Sequence, residues 1–128
     1  MGENLADIGG NTIAYYAYDM WAKEKGDKGI LTDLPEELQS SKKLFWIRSA
    51  HRFCSNYDDV TLTKLVQEDV HTVSGFRTNG SIMFSTEFSK DFQCNKGSPM
   101  NPEINCPVDQ FWDISNTKKI VRYHSDNT

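Results

Sequence analysis

The chain has 128 residues, the length of one ordinary domain, and its 38% hydrophobic and 25% charged residues are typical of globular proteins. Its net charge of −4 provides no basic surface for nucleic acid, so nucleic-acid partners are excluded. No apolar run approaches the roughly 20 residues of a membrane-spanning helix, and the acidic, glycine-rich start is not a signal peptide.

The first predicted element is a helix with two carboxylates near its start. Glu3 and Asp7 are four residues apart, which places both on one face of a helix, one turn from each other. Two acids on one face repel each other unless a cation or a proton donor lies between them. The pair therefore predicts a metal and the groups that orient its ligands. An apolar stripe continues this helix, and two glycines end it, the stripe being Ile13, Tyr16, Ala17, Met20 and Trp21 and the glycines Gly26 and Gly29.

A second helix is predicted to begin near Asp33 and to run to about residue 54. Asp33 and Glu36 have the spacing of a capping box, and Pro35 fits the first turn. The apolar residues of this helix point in several directions, which predicts packing on more than one side. A short third helix over 60–66 is predicted after a turn.

The last third of the chain predicts less regular structure. Residues 67–81 are polar, and we interpret them as a loop. An aromatic residue at every fourth position then predicts a helical stripe that faces the core. The stripe consists of Phe84, Phe88 and Phe92; residues 94–106 are interpreted as a loop, and residues 109–128 as a tail whose composition is compatible with disorder. The predicted fold class is mainly α.

Three cysteines are an odd number, so at least one has no partner within this chain. They are Cys54, Cys94 and Cys106. From composition alone, the favoured interpretation is three reduced thiols in a cytosolic protein. The alternative is a secreted protein whose partner cysteines are outside this sequence.

A second group of chemically active residues lies at 69–77. Asp69-Val70-His71 is followed by Ser74-Gly75-Phe76-Arg77. Taken alone, this is a polar loop with a solvated or structural histidine and a surface arginine. Asp69 is placed either to orient His71 or to keep it protonated, because a nearby carboxylate favours the imidazolium.

Four segments of this chain resemble, in order, the neprilysin and endothelin-converting-enzyme family of zinc endopeptidases. GENLADIGG at 2–10 resembles the family's GENIAD-GG segment, and residues 69–77 resemble its DVH…FR segment. The later segments resemble its EFS…F-C and MNP…C endings, so that the match runs from Glu3 to Val108. The resemblance implies that residues 1–108 are the C-terminal helical portion of a gluzincin-type metallopeptidase catalytic domain.

The resemblance also implies roles for individual residues. Glu3 corresponds to the third zinc ligand, and Asp7 to the acid that hydrogen-bonds a zinc-ligating histidine. His71 corresponds to the donor that stabilises the oxyanion of the tetrahedral intermediate, with Asp69 beside it. Arg77 corresponds to the residue that holds a backbone carbonyl of the bound peptide. The implied cofactor is zinc, and the implied partner is a peptide substrate.

The resemblance breaks at the pocket that receives the residue after the cleaved bond. The family usually has Val-Trp before the cysteine matched by Cys54, whereas this chain has Arg52-Phe53. Arg52 in that pocket would favour acidic or polar side chains over apolar ones. The alternative is that Arg52 points to solvent.

The family's HExxH motif, with two zinc-ligating histidines and the general base, has no counterpart here. The histidines are His51, His71 and His124, and none of them begins HExxH. A catalytic zinc needs three protein ligands and a water, so we expect this chain to be inactive alone. The N-terminal portion of the peptidase is an expected partner, and we expect contact with a membrane only through an anchor in that portion.

Because of the resemblance, we expect an extracellular or cell-surface lumenal location, with the three cysteines paired to residues upstream. Two alternatives stay open. One is a catalytically dead helical interaction module that kept the scaffold without the zinc helix. The other, without the resemblance, is a reduced cytosolic α-helical domain of unknown role.

Overall fold

The computed structural model describes residues 2–26 and 29–104, and it is built from helices joined by short loops. Within these two ranges there is no strand, only isolated bridges between single residues. The predicted mainly α class is confirmed. The elements are α1 (Gly2–Glu24), a 3₁₀ helix (Glu36–Leu38), α2 (Ser41–His51), α3 (Asp59–Glu68), α4 (Ser74–Ile82) and α5 (Thr86–Asp91).

Helix α1 is the longest element, and its 23 residues confirm the first predicted helix. An acid in its first turn and Lys23 in its last turn complement the helix dipole. Gly26 follows it with φ +65°, a left-handed conformation that favours glycine at a helix end. The apolar stripe, however, is not its buried face, because Ile13 is 37% and Trp21 53% exposed. The buried positions are Asp7, Gly9, Asn11, Tyr15 and Ala22.

The second helix begins later than predicted. Pro35 has an extended ψ of 145° and no capping hydrogen bond, and only one 3₁₀ turn follows it. Instead, Ser40 caps α2 by accepting a hydrogen bond from the backbone N–H of Lys43 at 3.4 Å. The backbone N–H of Leu31 donates to the carbonyl of Gln39 at 2.8 Å, so the segment before α2 folds back on itself. The spacing of Asp33 and Glu36 therefore does not form a capping box here.

The predicted short third helix is confirmed as α3, but the predicted loop over 67–81 is wrong in its second half. Asp58 caps α3 by accepting from the backbone N–H of Thr61 at 2.7 Å. Helix α4 occupies the second half of the segment that we interpreted as a loop. No side chain caps its start, and it packs along α1 with Ser81 and Ile82 buried. Tertiary packing rather than local sequence thus stabilises α4.

The aromatic repeat lies around α5, which is shorter than the repeat. Phe84 precedes the helix, Phe88 lies within it and Phe92 follows directly after it. Phe88 and Phe92 pack on a core formed by Tyr15, Trp46 and Ile82, as do Phe45 and Met100.

The centre of this core is a stacked pair of rings. Tyr15 and Trp46 have ring centroids 4.8 Å apart. One carboxylate oxygen of Asp91 accepts from the Tyr15 hydroxyl at 2.9 Å and from the Trp46 indole N–H at 2.8 Å. A single residue of the α5 helix thereby satisfies both polar groups of the aromatic pair.

Residues 94–104 form no helix or strand, as predicted for the loop that begins there. The predicted tail at 109–128 and Cys106 lie outside the described residues. Cys54 is exposed and Cys94 half-buried, and both are free thiols. In the part of the chain that the structure describes, no helix is long and apolar enough to cross a membrane.

Candidate functional site

The site is built around the first two turns of α1, where the two predicted carboxylates face α4 and the loop before it. Glu3 is half-exposed, with 47% of its side chain accessible to solvent. Asp7, one turn later, is buried. The helical spacing places both acids on one face of α1, as predicted. The structure adds that Glu3 lies at the surface and Asp7 beneath it.

His71 lies between two acids in the loop that joins α3 to α4. Its Nε2 is 3.1 Å from Oε2 of Glu3, and its Nδ1 is 2.8 Å from Oδ1 of Asp69. A neutral imidazole donates from only one ring nitrogen, so it satisfies one of these carboxylates at a time as a donor. The ring is thus held by groups from two distant parts of the sequence.

Asp69 organises the loop that carries His71. The same oxygen that faces the ring also accepts from the backbone N–H of His71 at 2.8 Å. These hydrogen bonds, the backbone one first, lower the pKa of the Asp69 carboxyl below its ordinary value of 3.8. Asp69 therefore remains ionised through the neutral range and holds the orientation of the histidine.

Arg77 and Asp7 form the strongest polar contact between α1 and α4. The Arg77 Nε donates to Oδ2 of Asp7 at 2.7 Å, and Nη2 donates to Oδ1 at 2.9 Å. This is a bidentate pair, the geometry in which a guanidinium binds a carboxylate best. The Asp7 carboxylate raises the pKa of Arg77 above its already high ordinary value. The pair joins positions that are 70 residues apart in the chain.

Two guanidinium groups lie over the ring of Phe53, just after α2. The guanidinium carbons of Arg52 and Arg77 are each 4.6 Å from the ring centroid. This is within the range of cation–π attraction. Arg52 also donates from Nη2 to the side-chain oxygen of Asn11 at 3.1 Å. Arg52 is exposed to solvent, but it is held against the site by both contacts.

Asn11 is a site-supporting residue that the sequence reasoning missed. It is only 4% exposed, donates from Nδ2 to Ser81 at 2.8 Å, and accepts from the hydroxyl of Ser49 at 2.6 Å. It thereby connects α1, α2 and α4. A signal was present, because positions 3, 7, 11 and 15 continue one face of the helix at a spacing of four.

A cavity of about 170 Å³ lies between α1 and α4, beside the Asp7–Arg77 pair. Its walls are both polar and apolar. The lining residues are Asn4, Asp7, Ile8, Phe76, Arg77, Gly80, Ser81 and Phe84.

The donor set fits a contribution to a metal site rather than a whole one. Among the described residues, no group of three or more His, Cys, Asp or Glu side chains is arranged to hold a metal ion. Glu3 offers a half-exposed carboxylate on the surface of α1, a hard oxygen donor suited to a divalent ion. Asp7 is already engaged by Arg77 and fits a supporting role.

Comparison with known proteins agrees with the resemblance noted in the sequence. The family model described as Peptidase family M13 matches residues 1–108. The chain belongs to peptidase family M13. It is 37% identical over 107 residues to Neprilysin-2 of Drosophila melanogaster, and 38% identical over 108 residues to Neprilysin of Homo sapiens. It is also 41% identical over 108 residues to Endothelin-converting enzyme 1 of Rattus norvegicus.

Each alignment covers 84% of this chain but only 13–14% of the relative. No solved structure matches the chain. The neprilysin and endothelin-converting-enzyme family that the sequence resembles is thereby confirmed. So is the interpretation of the chain as a helical portion of a peptidase of this family.

All seven predicted site residues occur in two series of contacts, which begin at Glu3 and Asp7 on neighbouring turns of α1. The first series consists of Glu3, His71 and Asp69, and the second of Asp7, Arg77, Phe53 and Arg52. The first series is exposed and consists of a histidine between two carboxylates. The second series has a more buried ion pair and contains two guanidinium groups. The chemical roles of these residues are still predictions.

Proposed function

We propose that this chain is the C-terminal segment of the catalytic domain of a zinc metalloendopeptidase that hydrolyses small peptides. In this proposal residues 1–108 are the catalytic segment and 109–128 a separate tail. The observation that carries the proposal is the contact of His71 with Glu3, beside the bidentate pair of Asp7 and Arg77. A possible metal ligand, a possible oxyanion donor and a possible peptide-binding cation thus lie on adjacent turns.

Glu3 is the residue proposed to hold the metal, as one of three protein ligands. When bound, zinc supplies Lewis acidity, which polarises a carbonyl and lowers the pKa of a water. The exposure of Glu3 supports this role, because a ligand for a metal shared with another segment must be accessible. The two histidine ligands and the general base are proposed to come from an HExxH helix in the N-terminal portion of the peptidase.

His71 is proposed to donate a hydrogen bond to the oxygen of the scissile carbonyl as negative charge develops there. Asp69 supports the role, because in the imidazolium form both ring nitrogens donate, so that Asp69 holds Nδ1 while the N–H at Nε2, beside Glu3, serves the oxyanion. A donor aimed in advance needs no reorganisation during the reaction. Loss of one such donor costs about 10²–10³ in kcat.

Arg77 is proposed to bind a backbone carbonyl of the peptide while Asp7 orients it. A guanidinium has five N–H donors, and the bidentate pair uses two of them, so three remain for a peptide. Each Asp7 oxygen has a further lone pair that can accept from a metal-binding histidine of another segment. Phe53 and Arg52 are proposed to line the substrate groove next to Arg77.

The proposed partners follow from the same assignment. The isolated chain is proposed to be inactive and to act only with the N-terminal portion of the peptidase. An extracellular or lumenal location is proposed, with membrane contact through that portion alone. The exposed, free thiol of Cys54 is available for pairing with an upstream cysteine in such an oxidising compartment.

A chimeric enzyme tests the proposal directly. The 108 matched residues of rat Endothelin-converting enzyme 1 are replaced by residues 1–108 of this chain, and zinc content and peptide hydrolysis are measured. The chimera is expected to retain one zinc per molecule and to cleave peptides. Glu3→Gln is expected to remove the zinc and the activity, whereas His71→Ala is expected to lower kcat more than it raises KM.

Matched variants control for non-specific damage. Glu24→Gln makes the same change at the exposed far end of α1, and His51→Ala removes an exposed histidine from α2. Neither is expected to alter zinc content or kcat. A folded chimera without zinc or hydrolysis would contradict the proposal and would favour a catalytically dead helical module.

A further inference from the structure

Two arginines lie within cation–π distance of the Phe53 ring, and of the two only Arg77 has an anionic partner among the described residues. The guanidinium carbons of Arg77 and Arg52 each lie 4.6 Å from the centroid of the Phe53 ring, so both charges are close to the same side chain. Arg77 is neutralised by the carboxylate of Asp7. Arg52 donates to an uncharged amide oxygen, that of Asn11. Within the described ranges no carboxylate lies within salt-bridge distance of Arg52.

The side-chain amide of Asn11, which contacts Arg52, has a fixed orientation. Asn11 is buried, its Nδ2 donates to Ser81, and its oxygen accepts from Ser49 as well as from Arg52. A flipped amide would direct N–H groups at the guanidinium, which has no acceptor, so the amide oxygen must face Arg52. The charge is therefore held in place without being compensated.

The acids of the site are concentrated elsewhere. Glu3 and Asp69 flank His71, and Asp7 is occupied by Arg77. The site thus has an acidic side, suited to a metal ion, and a basic side over Phe53. An exposed guanidinium beside a ring presents its unused N–H donors to solvent, where a carboxylate can form a charge-assisted pair with them.

We propose that Arg52 is a specificity-determining residue that gives the peptidase a preference for peptides with an acidic side chain over Phe53. This inference rests on the proposed function, because it names the class of substrate for the same site. Asn11 acts as a positioning residue that holds the guanidinium without neutralising it. The acidic side chain supplies the carboxylate that Arg52 lacks among the described residues.

The test uses the chimera and pairs of peptides that differ only in Glu against Gln, with the pair placed in turn at each position around the cleaved bond. At one position the chimera is expected to cleave the Glu peptide with about fivefold higher kcat/KM, the size of an exposed ion pair. Arg52→Gln is expected to bring that ratio to about one, and Arg52→Lys to retain part of it. Added salt is expected to reduce the ratio, because the pair is exposed.

Two further variants separate a specific contact from general charge. Asn11→Asp has the same shape but supplies a carboxylate to Arg52, so it is expected to reduce the ratio while Arg52 is still present. Arg48→Gln removes an exposed arginine one turn earlier in α2 and is expected to leave the ratio unchanged. A preference at no position, or one that survives Arg52→Gln, would overturn the inference.

A binding measurement distinguishes failure of the inference from failure of the proposed function. In the ¹⁵N-labelled chain, N-acetyl-glutamate amide is expected to shift the side-chain N–H signal of Arg52, and N-acetyl-glutamine amide is not. A shift without hydrolysis by the chimera would overturn the proposed function and keep the anion-binding arginine. Hydrolysis without either the shift or the Glu preference would overturn the inference alone.

Discussion

The two halves of α1 contact the rest of the protein through different chemistry. The first half, with Glu3, Asp7 and Asn11, meets α4 and its preceding loop through charged and amide groups. The second half presents Tyr15 and Tyr18 to the rings of α2. One helix therefore carries both the candidate site and one wall of the core.

The difference indicates which contacts provide stability. Ion pairs lose hydration when they form, so their net contribution is small even when their geometry is good. The aromatic half removes large apolar surface from water and has its polar atoms satisfied by Asp91. We therefore expect stability to depend mainly on the second half of α1 and chemistry on the first.

The largest expected effect is on the aromatic side. Trp46→Ala removes a side chain that is 2% exposed and stacked on Tyr15, so the free energy of unfolding should fall by about 3–5 kcal/mol. Urea denaturation followed by circular dichroism measures it. Trp21→Ala is the matched control, because Trp21 is 53% exposed and should cost less than about 1 kcal/mol. Equal losses in the two variants would remove the distinction between the halves.

The second effect is on the charged side. Asp7→Asn keeps the size of the side chain but removes the charge that binds Arg77, and should lower the free energy of unfolding by about 1.5–3 kcal/mol. In the chimera it should also lower activity about 10–100-fold. The control is Asp19, which lies in the other half of α1 and pairs with Lys23 and with Lys42 of α2. Asp19→Asn should lower the free energy of unfolding by less than about 1 kcal/mol and leave activity unchanged.

Some of the helices could be predicted from the sequence and others could not. Helices α1 and α3 follow from local patterns, which are the helical spacing and end glycines for α1 and the preceding turn for α3. Helix α4 does not, since it has two glycines, several polar residues and no capping side chain. Its stability comes from partners on α1, including Asp7 for Arg77 and Asn11 for Ser81. Contacts between residues 70 positions apart leave no local signal.

The buried face of α1 was not predicted from the sequence, whereas the motif residues that the structure brings into contact were singled out by their motifs, and their roles are still predictions. The motifs named Glu3, Asp7, His71 and Arg77 without any knowledge of α4. The search for an apolar stripe chose the side with Ile13 and Trp21, which is exposed in the described part of the chain. In the first half of α1 the buried positions are polar or glycine, namely Asp7, Gly9 and Asn11. A hydrophobic-periodicity argument cannot find such a face.

On the aromatic side, the free energy of unfolding should depend on alkaline pH through Tyr15. Burial, and then the hydrogen bond to Asp91, raise the pKa of Tyr15 above its ordinary value of 10.0. A raised pKa favours the protonated form in the folded state, so this stability is present below about pH 10 and is lost as the pH rises further. Tyr15→Phe should make the free energy of unfolding less dependent on pH between about 9 and 11.

Tyr57→Phe is the control for this alkaline effect. Hydrogen bonds with Ser55 and Ser74 lower the pKa of Tyr57, so its removal should not reduce the alkaline loss. If Tyr57→Phe flattened the profile and Tyr15→Phe did not, the assignment to the aromatic half would be wrong.

The smallest expected effect on stability is at acid pH, on the charged side. Hydrogen bonds from His71 lower the pKa of Asp69 below 3.8, so its contribution is present above about pH 3.8 and is lost as the pH falls through the folded-state value. Asp69→Asn should therefore weaken the acid dependence slightly, since the group is exposed. In the chimera the same change should lower kcat far more than it alters stability, because Asp69 orients His71. A large loss of stability with normal kcat would place Asp69 among the structural residues and end the division between the two halves of α1.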